Sequence, residues 1–278
     1  MPYAFGAAAG AAFPQLFITK SQTWVPPQDG TICIHAVGAG GGGNQGADSY
    51  HRMNGGGAGA YFKVPSLAVT TSGSFTIVIG AGGRGGHASW VTQGVAGAVG
   101  GNTTIAGTNL TGTKTAGGGG GGAINSQYNQ APGGNFSGSG ESAVGYSGGA
   151  ANFGNGGAVG VYATGQAGQN IGNGQMAGGQ SDAAGSGIET SGFGIIVGGP
   201  RSGAAIYNYA GGNGIQSNNA DDLNGAGLGY STTGNQPGLG GNGGLGGGGG
   251  AGECTAYTQN GYGGHGGDGI IIIQYLPW

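Results

Sequence analysis

The sequence predicts an all-β fold with irregular structure and almost no α-helix. A small β-sandwich-like base would carry a glycine-rich bundle of polyglycine-II strands with long loops. Three observations lead there. Glycine accounts for 79 of the 278 residues, yet there are only nine prolines and no strict Gly-X-Y period, which excludes collagen. Charge is nearly absent, with six Lys/Arg and nine Asp/Glu, while 36% of residues are hydrophobic; a disordered chain shows the opposite balance. Glycine is also unevenly placed, since all but five of the 79 lie outside residues 1–37, 58–79 and 270–278.

Fixing a backbone costs about 1–2 kcal/mol per residue, and glycine loses the most freedom. Helices and ordinary sheets recover little of this, because glycine weakens both and has no side chain to pack. Extended polyproline-II-like strands do suit it. They make about three residues per turn and have no internal hydrogen bonds, so their N–H and C=O groups are free to bond sideways. Close backbones add weak Cα–H···O contacts.

The glycine-poor segments read as the strands of the base, residues 23–37, 58–79 and 270–278. Residues 31–37 (TICIHAV) are rich in β-branched side chains and place Ile32, Ile34 and Ala36 on one face. Residues 74–79 (SFTIVI) put Phe75, Ile77 and Ile79 on one side, and the apolar run at 270–275 suits a strand buried on both faces. Residues 16–24 and 60–64 are weaker strand candidates, and Pro26 to Gly30 reads as a turn. The strand at 270–275 follows the others after a long separation, so it is expected to close the base.

The bundle and its loops are expected at 38–57 and 80–269. A three-residue period shows in Tyr262, His265, Asp268 and Ile271; in Leu239, Asn242 and Leu245; and in Ala81, Arg84, His87 and Trp90. At three residues per turn each series lines one edge of its strand and leaves two edges bare for neighbouring backbones. The glycine runs at 38–43, 117–122 and 246–250 are expected in the most enclosed strands. The bulky residues between runs, among them Ile124, Phe136, Tyr146, Phe153, Tyr162, Leu223 and Tyr230, read as connecting loops.

Few chemical motifs stand out. Gly38 to Gly43 matches G-x-G-x-x-G after a strand, but no helix-forming segment or spaced acidic residue follows, and chance matches are expected at this glycine content. Cys33 and His35 share a strand face, and Cys254 with His265 could complete a zinc set. Neither pair has tight ligand spacing, and Cys33 reads as a small buried apolar residue. Residues 220–225 (ADDLNG) lack the first ligand and the closing glutamate of a calcium loop. No paired carboxylates or nucleophile elbow appear. An enzyme is not expected, and neither is a catalytic, cofactor or metal site. A net charge of −3 gives no footprint for nucleic acid, and no apolar run approaches the ~20 residues of a membrane helix.

The aromatic inventory is the remaining chemical signal. Twelve tyrosines lie largely in the glycine-rich part among Asn, Ser and Gln, a composition shared with antibody recognition loops. Tyr128, Tyr146, Tyr162, Tyr207, Tyr209 and Tyr230 are the candidate binding residues. The competing reading is that these rings cover strand edges.

The order of motifs resembles the glycine-rich domains of bacteriophage tail-fibre and related virion proteins. The residues that carry the likeness are TWVP at 23–26, the strand at 32–37 running into GAGGGG at 38–43, GAGAY at 57–61, the strand at 75–79 running into GAGG at 80–83, and GGDGIIIIQY at 266–275. It covers roughly 23–278. More loosely, the chain is similar to the tail-fibre tip adhesins of T-even-like phages, in which a polyglycine-II bundle presents variable loops to a receptor. The chain lacks the large separate attachment domain of those adhesins. The resemblance implies a virion protein, a fibre or fibre-tip adhesin that binds a host cell-surface receptor, either a glycan or an outer-membrane protein. Residues 1–22 would dock other virion proteins, and a homotrimer would suit a fibre. It further implies synthesis in the host cytoplasm without a signal peptide; the first basic residue is Lys20, and Pro14 interrupts the apolar start. The alternatives are a capsid-surface fibre or decoration protein with no receptor role, and an extracellular structural or ice-binding protein. Ice binding calls for Ala, Ser or Thr at one position in three, whereas the periodic positions here hold Tyr, His, Asp, Leu, Arg and Trp.

Overall fold

The computed structural model describes residues 15–45, 54–87, 94–124, 131–151, 156–157, 159, 164–165, 240–251 and 262–277. They contain ten β-strands and no helix. The strands are β1 (Gln15–Ile18), β2 (Gln22–Trp24), β3 (Gly30–Val37), β4 (Tyr61–Val69), β5 (Phe75–Val78), β6 (Thr103–Gly107), β7 (Lys114–Ala116), β8 (Phe136–Ser137), β9 (Val144–Tyr146) and β10 (Ile270–Tyr275). They form two antiparallel sheets in the orders β1-β10-β3-β4-β9 and β2-β5-β6-β7-β8.

Two-residue alternation decides which side chains fill the space between the sheets. Ile32, Ile34 and Ala36 of β3, Ile271, Ile273 and Tyr275 of β10, and Phe62 and Val64 of β4 face Trp24, Phe75, Ile77, Ile105 and Ala116 of the second sheet. Trp24 packs on Phe75 at 5.4 Å between ring centroids, and Phe62 meets Phe136 at 5.5 Å. Fully burying a side chain of this size contributes about 1.5–3 kcal/mol. The other face of β10 is also covered, with Ile270 and Ile272 packed among Val37, Ala58, Tyr61 and Val159. Its apolar run therefore lacks alternation because both faces are buried. Rather than closing an edge, β10 lies between β1 and β3.

Several expectations shift. Residues 16–24 are two strands in different sheets, separated at 19–21. Gln15–Ile18, within the expected docking segment, pairs with β10 as an edge strand of the base. Phe136 and Tyr146 are not loop residues. Phe136 starts β8, and Tyr146 ends β9, paired with Tyr61.

Above the sandwich, the strands run directly into glycine segments. β3 continues as 38–45 and returns as 54–60 into β4; β5 continues as 80–87 and returns as 94–101 toward β6; β7 continues into 117–123; β10 is entered from 262–269. Successive amides of 38–45 turn to three different neighbours. The amides of Gly38, Gly41 and Asn44 donate to the carbonyls of Ala60, Gly57 and Asn54. Those of Ala39, Gly42 and Gln45 donate to Gly101, Ala98 and Val95, and those of Gly40 and Gly43 to Gly267 and Gly264. The carbonyls of 38–45 accept from Gly119 and Gly122, from Gly83 and Gly86, and from Gly249, all at 2.8–2.9 Å. Six segments thus surround one, and they also bond to each other around the ring. Three-residue helical symmetry produces this hexagonal arrangement directly. A second ring surrounds 54–60, which bonds to 38–45, 117–120, 246–249, 134, 149 and 157. The segment at 117–122, expected among the most enclosed, is only partly buried, with Gly119 and Gly122 buried and the rest intermediate; 54–60 is buried throughout.

Close approach excludes side chains from these positions. A Cβ on Gly41 would overlap the Gly120 carbonyl, and one on Gly56 would overlap that of Gly41. Away from the sandwich, Asn44 and Asn54 lie buried in the bundle. Both side-chain amides donate to the Ala123 carbonyl, and Asn44 Oδ1 accepts from the Asn54 amide at 2.8 Å. At the near end, 240–244 and 247–251 form a hairpin whose turn has Gly246 at φ 71°.

Lys114 is fully buried between the sheets. Its Nζ donates to the carbonyls of Thr111 and Ser139 and pairs with Glu141 at 2.5 Å. Glu141 and Ser142 hold left-handed φ values of 50° and 53°, a strain of about 1–3 kcal/mol each that the ion pair and the Thr111 amide bond to Glu141 Oε1 offset. Burial raises the Glu141 carboxyl pKa, but hydrogen bonds from Lys114 and Thr111 outweigh it, leaving the group below the ordinary carboxylate value.

Gly41→Ala should cost about 3 kcal/mol or more, because backbone surrounds the site and cannot yield as a side chain does. Ala81→Ser, on the exposed edge, should stay within about 0.5 kcal/mol; urea denaturation of both variants measures the contrast. Because the folded pKa of Glu141 is depressed, its contribution to stability is present above the unfolded carboxylate value and is lost as pH falls through the folded one. The wild-type urea midpoint should therefore drop in acid more than that of Glu141→Gln, which is already weakened at pH 7.

Candidate functional site

The bundle presents a wall made by 80–87, 262–269 and 240–244, neighbours in the lattice. One residue in three on each segment faces outward. Along 81–87 exposure repeats as exposed, intermediate, buried, with Ala81, Arg84 and His87 exposed; His265 and Asp268 are exposed on 262–269, and Asn242 on 240–244. One step along such a row is about 9 Å, three residues at ~3.1 Å each.

These side chains complete hydrogen bonds that the wall would otherwise leave open. Among the described residues, the amides of Gly82, Gly85, Gly118 and His265 have no backbone acceptor. Asp268 Oδ1 accepts from the Gly82 amide at 2.7 Å, and His265 Nδ1 accepts from Gly85 at 3.2 Å. Asn242 Oδ1 accepts from the His265 amide at 2.8 Å, and Asn102 Oδ1 from Gly118 at 2.9 Å. Each cap reaches from one segment onto the next. The His265 bond makes Nδ1 the acceptor, which places the ring proton on Nε2. His87 and Tyr262 meet at 4.3 Å between ring centroids.

A second polar cluster lies on the outer face of the first sheet. The Tyr61 hydroxyl and His35 Nδ1 are 2.7 Å apart, and the Cys33 thiol lies 3.3 Å from His35 Nε2. Burial, helped by nearby Lys63, pushes His35 down to about 4, so the ring is neutral near pH 7. Burial pushes the Cys33 thiol up, with Lys63 opposing, whereas an activated nucleophile needs a lowered pKa.

Of the six candidate tyrosines, Tyr146 is half-buried in β9 and stacks on Tyr61 at 6.3 Å with rings 3° from parallel. That is edge packing. Tyr128, Tyr162, Tyr207, Tyr209 and Tyr230 lie outside the described residues. The G-x-G-x-x-G stretch sits at the lattice centre, where each amide from Gly38 to Gly43 already has a backbone acceptor, leaving none for a phosphate. Among the described residues no three His, Cys, Asp or Glu side chains gather closely enough to hold a metal ion, and His265, one member of the considered zinc set, caps Gly85. The considered calcium stretch and Cys254 lie outside the described residues.

Of the capping residues, Asn242, His265 and Asp268 stand at positions that the three-residue spacing picks out, and Asn102 does not. Their partners were not legible, because Gly82 and Asp268 are 186 residues apart and only the lattice joins them. A family model described as a glycine-rich domain matches residues 18–276. No curated protein matches the chain.

Removing a cap should open its amide. Asp268→Ala should accelerate hydrogen exchange at Gly82 and His265→Ala at Gly85, each costing about 0.5–1.5 kcal/mol, while exchange at Gly41 follows only global unfolding. Equal acceleration at all three amides would contradict the capping assignment.

Proposed function

The chain belongs to the glycine-rich domain family, and we propose that it is a bacteriophage virion structural protein, a fibre or fibre-tip adhesin that displays loops to a host cell-surface receptor. One observation carries this reading. On the side away from the sandwich the outermost lattice bonds join Asn44 to Asn54, Gln45 to Val95, Gly86 to Gly263 and Ala131 to Ala151, holding those ends of the segments side by side. A backbone lattice holds those ends in fixed positions whatever residues connect them, which suits a scaffold for variable binding loops.

The sandwich supports the same division of labour. It anchors the segments at one end and includes β1, which lies within the expected docking segment 1–22, so docking through that strand would take place at the base. The capped wall keeps the lattice from adding foreign strands sideways, as edge protection does in ordinary sheets.

The test is competitive. Purified chain added in excess should block adsorption of the phage whose virions contain it, and Tyr207→Ala/Tyr209→Ala should block less. Absence of the chain from virions would overturn the reading; blocking that survives replacement of Tyr128, Tyr162, Tyr207, Tyr209 and Tyr230 would remove the loop assignment.

A further inference from the structure

We propose that the wall around Arg84, His87, Tyr262, His265 and Asp268 binds a neutral polyhydroxylated chain, a glycan laid across the segments. The inference rests on the display reading above but moves the contact from the loop tips to the side of the bundle.

Preorganisation is the first argument. Asp268 and His265 are each pinned through one atom to a neighbouring backbone amide. Their remaining polar atoms, the second carboxylate oxygen of Asp268 and the Nε2–H of His265, are thereby set as one acceptor and one donor. Surface side chains ordinarily lose rotamer freedom on binding, at about 0.5–1.5 kcal/mol each; here the lattice has already ordered them. Both residues are exposed on the same segment, one three-residue step apart.

The second argument is the balance of chemistry. Among the described residues of 80–87 and 262–269, the wall carries one guanidinium, Arg84, and one carboxylate, Asp268, which gives neither a polyanion nor a polycation an advantage. Its exposed positions hold no large aliphatic side chain, so an apolar protein surface finds nothing to bury. What remains is a ring pair, Tyr262 with His87, beside directed donors and acceptors. A polyhydroxylated chain presents the complement: C–H faces that pack on rings, flanked by hydroxyls that both donate and accept. The register brings these groups together. Gly263 donates to Gly86 and Gly266 to Gly83, so the ring pair falls at one end and the His265 and Asp268 caps follow along the same face.

Each segment offers one exposed side chain in three, so a single copy should bind weakly, with useful avidity only when several copies engage one surface. The experiment uses the full-length chain on a printed array of neutral linear oligosaccharides and neutral bacterial polysaccharides, with heparin and polysialic acid as acidic comparators. Binding to neutral members is expected, at least tenfold weaker for Arg84→Ala/His87→Ala, a variant that spares every cap and should keep the wild-type melting temperature. No binding to any neutral member, preference for the acidic comparators, or full retention of binding by the double variant would each overturn the wall site. Wild-type chain that blocks adsorption yet binds no neutral glycan would sink this inference and leave the display reading standing. Glycan binding lost in the double variant, without blocking of adsorption, would do the reverse.

Discussion

Hydrogen bonds between neighbouring glycine backbones, aimed in three directions by the three-residue turn, govern this molecule. Each amide of 38–45 has one acceptor, and the next amide along turns to a different neighbour. An ordinary sheet strand bonds to two neighbours in a plane; a polyglycine-II segment bonds to six in a hexagon, and the result grows in two dimensions. At positions such as Gly41 and Gly56 the arrangement admits only glycine, because the space a Cβ would fill is taken by a neighbouring carbonyl.

The same rule explains both boundaries of the bundle. At its near end the segments need fixed origins, and the sandwich supplies them. Apolar β-branched residues return beside each glycine run, so β3 and β4 flank the pair 38–45 and 54–60, and their cross-strand register places Val37 opposite Tyr61 where the lattice begins. At its sides the lattice runs out of partners, and short polar side chains stand in for missing carbonyls. Asn102, Asn242, His265 and Asp268 have this role. A wall residue is thus bound inward to the scaffold.

Much of the architecture was legible in the residues. The faces of Ile32, Ile34 and Ala36, and of Phe75 and Ile77, follow from two-residue alternation, and the burial of 270–273 on both sides follows from the lack of it. The period of three in Tyr262, His265 and Asp268 marked an outward row correctly. Short strands were harder. β7, β8 and β9 span two or three residues each and carry Lys114, Gly145 and Ser137, so local pattern gives no sign of them. They are strands because the sheets place partners beside them. Tyr146 shows the same limit, since its composition suits a recognition loop while its pairing with Tyr61 makes it edge packing.

The sequence by itself determined the class of structure: so much glycine with so little charge can be ordered only by backbone bonding, and the glycine-poor segments had to supply the apolar base. Tertiary structure alone decided which segment lies at the centre, that β10 enters between β1 and β3, and which side chain caps which amide. The physical reason is that glycine carries no side chain to encode a partner. Neighbours in the lattice are chosen by the strand order of the sandwich, and contacts such as Gly82 with Asp268 join residues whose local sequences contain no record of each other.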